Sequence, residues 1–287
     1  MPASREALPR RINRSFETPS VPLVLTRIIQ VLDDESATSH ELEQLILHDP
    51  SLSARILRLA NSAFYSFRDE VKTVSHAITL LGMNLVKSLA IGVNIFESFT
   101  RGMKKEAALI NMLWMHSFGS GLLAQEVWLR RSNRKEAEFA FLCGLLHDLG
   151  KVVYFKCDSA FYSKMFSSEK GPDDGDISSM ESEAYGMDHA SMGASLAKQW
   201  GLPPQLADVI RTHHAPPSSE SPLVAAVTMA DMLAKQTKIG YDGDRNISMG
   251  YAELMAALGM GDQEFEKLQS FAESKRADVT EFFQLPS

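Results

Sequence analysis

At 287 residues, 45% hydrophobic and 23% charged, the chain is long enough to bury a large core and has the composition of a soluble globular protein. A formal net charge of −7 argues against extended contact with a nucleic-acid backbone, and the two cysteines, Cys143 and Cys157, argue against a disulfide framework or a cysteine-based zinc cluster. No apolar run reaches membrane-span length and MPASREALPRRINRSF lacks the hydrophobic stretch of a secretory signal, so a cytoplasmic location without membrane attachment is expected.

Apolar residues recur at helical spacing and alternating strand patterns are nearly absent, which predicts an all-α fold. Residues 1–14 read as a flexible tail carrying Arg5, Arg10, Arg11 and Arg14. In SVPLVLTRIIQVLDD, Leu25, Ile28, Ile29 and Leu32 share one helical face. Thr38 and Glu41 have capping-box spacing at the start of TSHELEQLILHD. Asp49 before Pro50 reads as an N-cap with proline at the first helical position, opening PSLSARILRLANSAF. Three longer helical stretches follow: SHAITLLGMNLVKSLAIGVNIF, NMLWMHSFGSGLLAQEVWLR and FAFLCGLLHDLGKVVYF. The glycine in LLGMNLVK allows a helix-turn-helix-like turn, but glycine between helices is common and the net charge disfavours nucleic acid.

Between about 167 and 177, SSEKGPDDGDI reads as a solvated connector. MESEAYGMDHASMGASLAKQWGLP, PPQLADVIRTHHAPP and PLVAAVTMADMLAKQ each read as a helix ended by glycine or proline. Residues 241–287 hold nine acidic and four basic residues and read as an acidic helical extension, with Phe265, Leu268 and Phe271 on its apolar face.

Chemistry concentrates where polar groups interrupt apolar runs. His147 and Asp148 must face water or share a buried partner, because an unpaired buried polar group is costly. Asp231, within LVAAVTMADMLA, poses the same problem. His116, His189, His213 and His214 complete a set of seven candidate ligands, although a lone helical histidine is ordinarily exposed or a hydrogen-bonded core group. Gly144 and Ala140 near His147, and Gly193, Ala194 and Ala197 near His189, leave room for close approach of backbones. Imidazole and carboxylate together suit manganese, iron, nickel or zinc rather than calcium or magnesium. Asp148 has two oxygens and can bridge two ions; Lys151 reads either as a phosphate-holding residue or as a solvated lysine before a connector.

The order His116, His147–Asp148, His189, His213–His214 and Asp231 resembles the HD superfamily of metal-dependent phosphohydrolases. VLDDESATSHELEQLILHDPSLSARILRLANSAFYSFRDEVKTVSHAITLLGMNLVKSLAIG resembles the first half of the HDOD domain, an HD-related output domain of bacterial signal transduction. The resemblance implies an HDOD domain over 15–240, with an N-terminal helical half at 15–110 and an HD-like half at 111–240. By similarity to the related HD-GYP phosphodiesterases, His116, His147, Asp148 and Asp231 would hold one ion, and Asp148, His189, His213 and His214 a second. Those enzymes continue after the paired histidines with a glutamate and a Gly-Tyr-Pro segment. Here the chain reads APPSSESPLV, which puts cyclic di-GMP hydrolysis in doubt.

The expected function is a signalling output protein that acts as a regulatory interaction module, with other signalling or regulatory proteins as partners and homo-oligomerisation open. Its metal site is expected to hold one or two divalent transition-metal ions (Fe, Mn, Ni or Zn), or none. The alternative is a phosphohydrolase acting on a phosphodiester or nucleotide, in which Asp148 and Lys151 would be catalytic. No receiver domain or transmembrane sensor is visible in the sequence, so the input is expected to come from another molecule.

Overall fold

The computed structural model describes residues 23–33, 37–62, 65, 67–100, 102–167, 177–244 and 250–284. The tail with its four arginines and most of the 167–177 connector lie outside these residues. The described residues form helices without strands, as the all-α reading expected.

The N-terminal half comprises α1 (Leu23–Asp33), α2 (Ser39–Leu47), α3 (Pro50–Ala60), α4 (Val74–Leu81) and α5 (Met83–Thr100). Thr38 caps α2 in a capping box with Glu41, and Asp49 caps α3 through the amides of Ser51 and Leu52. These caps satisfy amides that a helix start leaves unpaired, so the two starts are fixed by local sequence. The stretch 75–96 reads as a continuous helical region, but the structure bends it by 117° between α4 and α5, at Gly82 with φ 93°. Lys87, in that turn motif, is buried and donates to Val31 O at 2.6 Å, so it is not presented to a nucleic acid.

The second half comprises α6 (Ala107–Leu129), α7 (Arg134–Leu146), α8 (Leu149–Cys157), α9 (Ser159–Ser167), α10 (Ile177–Tyr185), α11 (His189–Gln199), α12 (Pro204–Thr212) and α13 (Pro222–Gln236). Helices α14 (Tyr251–Leu258) and α15 (Asp262–Gln284) follow. Two expected helices are interrupted: 139–155 breaks at His147–Asp148, and 180–203 breaks at Gly186–Asp188, where Asp188 caps α11 through Ser191 N. Both breaks turn polar residues toward one interior point, which apolar periodicity alone does not reveal.

Helix α6 is the axis of the molecule, packed by α7, α13 and α15. Contrary to the sequence expectation, it has the length and apolarity to cross a membrane, although 56% of its apolar window is buried against the rest of the molecule. Close packing depends on glycine. A Cβ at Gly144 would lie 2.6 Å from Ser120 O on α6, and one at Gly150 would lie 2.0 Å from His189 O. Both distances are far inside van der Waals contact, so α6–α7 and α8–α11 can approach only with hydrogen at those positions.

Candidate metal centre

The seven residues singled out in the sequence converge. His116 comes from the middle of α6, His147 and Asp148 from the α7–α8 break, and His189 from the first position of α11. His213 and His214 follow α12, and Asp231 lies within α13. All are buried except His214, which is half-buried.

Two groups meet at Asp148. In the first, Asp231 Oδ1 lies 3.0 Å from His116 Nε2 and 3.7 Å from His147 Nε2. In the second, His189 Nε2 lies 2.9 Å from His214 Nε2, and the rings of His213 and His214 are 4.0 Å apart. Asp148 Oδ2 faces the first group, 3.4 Å from His147 Nε2 and 3.9 Å from His116 Nε2. Its Oδ1 faces the second, 3.4 Å from His189 Nε2 and 3.8 Å from His213 Nε2. One carboxylate thus presents one oxygen to each histidine group.

The ring orientations are set from behind. His147 Nδ1 is 2.7 Å from Gly144 O, and His213 Nδ1 is 2.7 Å from Ile210 O. His189 Nδ1 lies 2.6 Å from Glu181 Oε2, which also accepts the His189 amide. Glu181 Oε1 in turn accepts a short hydrogen bond from Tyr162. An imidazole whose Nδ1–H is engaged turns a bare Nε2 lone pair to the opposite side, the usual arrangement of a metal-binding histidine. His147 Nε2, His213 Nε2 and Asp148 Oδ1 are buried without a hydrogen-bond partner among the described residues. Buried polar atoms are rarely left unsatisfied, so these converging lone pairs fit a bound cation. Four groups of three residues, drawn from these seven and Asp242, place ligand atoms within 4.8 Å of one another.

Electrostatics agree. Burial, with neighbouring imidazoles, holds His213 and His214 well below the usual histidine range, so both remain neutral and able to donate a lone pair. Burial opposes ionisation of Asp148, but His147, Lys151 and His189 outweigh it and keep the carboxylate charged. Burial likewise opposes charge on His147, yet Asp148 and Asp231 prevail and raise its pKa.

Lys151 is not the solvated lysine of one sequence reading. It is fully buried, and its Nζ donates to Asp148 Oδ2 at 2.9 Å and Asp242 Oδ2 at 2.7 Å. Lys235 Nζ lies 3.0 Å from Asp231 Oδ2, 3.2 Å from Asp242 Oδ2 and 3.6 Å from Asp244 Oδ2. Both lysine pKa values are raised because these carboxylates outweigh the cost of burial. Glu181, Lys235, Asp242 and Asp244 were not singled out in the sequence. Asp242 and Asp244 counted there among the acidic residues of a C-terminal extension, but both are buried against the centre.

The HDOD domain family model matches residues 18–216. An HDOD domain protein of Geobacter sulfurreducens shares the fold, with 24% identity and a TM-score of 0.74 over 98% of this chain and 100% of that one. A Shewanella amazonensis SB2B protein, described as a candidate phosphohydrolase, is 28% identical with a TM-score of 0.72, over 97% of each chain. An uncharacterised protein of Treponema pallidum (strain Nichols) is 25% identical over 227 residues, 77% of this chain and 42% of that protein. The chain therefore spans less than half the length of that curated relative.

Proposed function

We propose that this chain, which belongs to the HDOD domain family, is a signal-transduction output module that acts through protein partners and carries a divalent transition metal in a closed HD-type centre. The observation that carries this reading is the state of Lys151. A lysine that is to hold a substrate phosphate needs donors directed at an open site. Here the ammonium is fully buried and paired with Asp148 and Asp242. Apart from half-buried His214, the candidate ligands are also enclosed.

His116, His147, Asp148 and Asp231 would hold one ion, and Asp148, His189, His213 and His214 a second. A bound divalent ion supplies Lewis acidity and positive charge for water and phosphoryl oxygens. The chain's own groups fix the ring orientations through Gly144, Ile210 and Glu181, and hold the carboxylates through Lys151 and Lys235. In the proposed module these interactions serve a rigid interior that presents a fixed outer surface to partners.

A phosphohydrolase is the second reading, supported by Asp148 facing both histidine groups and by the 28% identical Shewanella protein. Turnover of aryl phosphodiesters and cyclic dinucleotides by iron- or manganese-loaded protein separates the two. The module reading expects wild type to match Asp148→Ala at background. Turnover that Asp148→Ala abolishes would replace it with the hydrolase.

A further inference from the structure

On the far side of α6 from the metal centre lies a cleft that the family assignment leaves unexplained. Its volume is about 330 Å³, and its walls include Arg58 from α3, Val93 from α5, Trp114 and Phe118 from α6, and Phe282 and Phe283 from α15. Trp114 and Phe118 each lie two positions from His116, and two residues turn a helix by roughly 200°, so they point away from the face that carries the candidate ligand. The aromatic wall is continuous. Phe118 stacks on Phe282 at 5.9 Å, Trp114 meets Phe283 edge-on at 6.2 Å, and Phe96 lies 4.1 Å behind Trp114.

Arg55, which also lines the cleft, is bound to Glu97 at 2.7 Å, and the Arg58 guanidinium sits 5.0 Å from the Phe282 ring centroid. Partial burial, and then the charge of Arg55, lower the Arg58 pKa, so Arg58 brings a partly buried guanidinium to the aromatic wall while Glu97 offsets the charge of Arg55. Small-ligand sites are typically concave, mostly apolar and oriented by a few polar groups, with volumes upward of ~300 Å³. We infer that this cleft binds a small amphipathic anion, its apolar or aromatic body between Trp114, Phe118 and Phe282 and its carboxylate, sulfonate or phosphate on the Arg58 guanidinium. The inference does not depend on the metal centre. It would give a small molecule access to the helix that carries His116.

The test titrates the full chain with anilinonaphthalene sulfonate, read by dye fluorescence and by quenching of tryptophan emission, with neutral phenylnaphthylamine in parallel. Saturable binding of a single equivalent is expected, displaced by decanoate and not by decanol. Arg58→Gln should weaken it about tenfold or more, the usual scale for losing a charge-assisted contact. Val93→Trp keeps both arginines but fills the cavity, and should abolish binding in a chain whose circular dichroism is unchanged. The inference is overturned if the wild type does not bind, if the neutral dye binds as tightly, or if folded Val93→Trp binds like wild type. Metal content is unaffected by any of these results, so their failure leaves the metal reading intact.

Discussion

At the residue scale, the buried carboxylates control both metal affinity and acid stability. Glu181 fixes the His189 ring through Nδ1, and loss of such an outer partner typically costs about 10–100-fold in metal affinity. Glu181→Gln should therefore retain the fold but need correspondingly more free metal for half-occupancy in a competition titration with a chromogenic chelator. An unchanged midpoint would show that Glu181 does not position the ligand. Asp242 makes the pH prediction. Burial alone would raise its pKa, but Lys151 and Lys235 outweigh burial and bring it from 3.8 to about 2. A depressed folded-state pKa means stabilisation is present above the unfolded value and is lost as pH falls toward the folded one. In metal-free protein this contribution is ~2 kcal/mol at neutral pH, lost between about pH 4 and pH 2. Asp148 and Asp231, also depressed, act in the same direction. Urea unfolding from pH 7 down to pH 2 should show Asp242→Asn less stable at pH 7, with a shallower decline into acid. Parallel curves would contradict the assignment.

The seven candidate ligands were visible in the sequence because His147, Asp148 and Asp231 interrupt apolar runs and the histidines recur in a known order. Lys235 and Asp242 were not, because a lysine near a helix end and an aspartate in an acidic stretch look like solvated groups. Only the fold, which brings Lys235 within 3.2 Å of Asp242, reveals their burial.

At the element scale, local caps were legible and interruptions were not. Thr38–Glu41 and Asp49–Pro50 are encoded within a few residues, so α2 and α3 begin where the sequence indicates. The α7–α8 break has no such local sign. Apolar residues surround it on both sides, and it forms because His147 and Asp148 turn toward partners distant in sequence. Gly150 marks that junction through its contact with His189. Gly150→Ala should force α8 and α11 apart and destabilise the chain by about 3 kcal/mol, at the upper end of ordinary overpacking costs. Thermal unfolding tests this. Because the displaced residue is His189, reduced metal binding should accompany it, and a variant with wild-type stability and metal uptake would refute the packing argument.

At the scale of the whole molecule, the apolar core runs without interruption from Ile28 in α1 to Phe282 in α15. The N-terminal half contributes no candidate ligand, but α5 packs on α7 and α8, the helices that flank the His147–Asp148 break. That packing ties the outer surface of the N-terminal half to the helices that hold the centre, as a rigid interior requires. The family resemblance made this architecture legible, while the burial of the centre came from the fold.

In the proposed module these converging lone pairs hold a metal. The most direct test is metal content by inductively coupled plasma mass spectrometry, on protein purified without chelator or nickel resin, beside Asp148→Ala. About one to two equivalents of a divalent transition metal in wild type, lost in the variant, is the predicted result for one carboxylate shared by two ligand groups. Wild-type protein that is empty, and stays empty after anaerobic loading with iron or manganese, would contradict it.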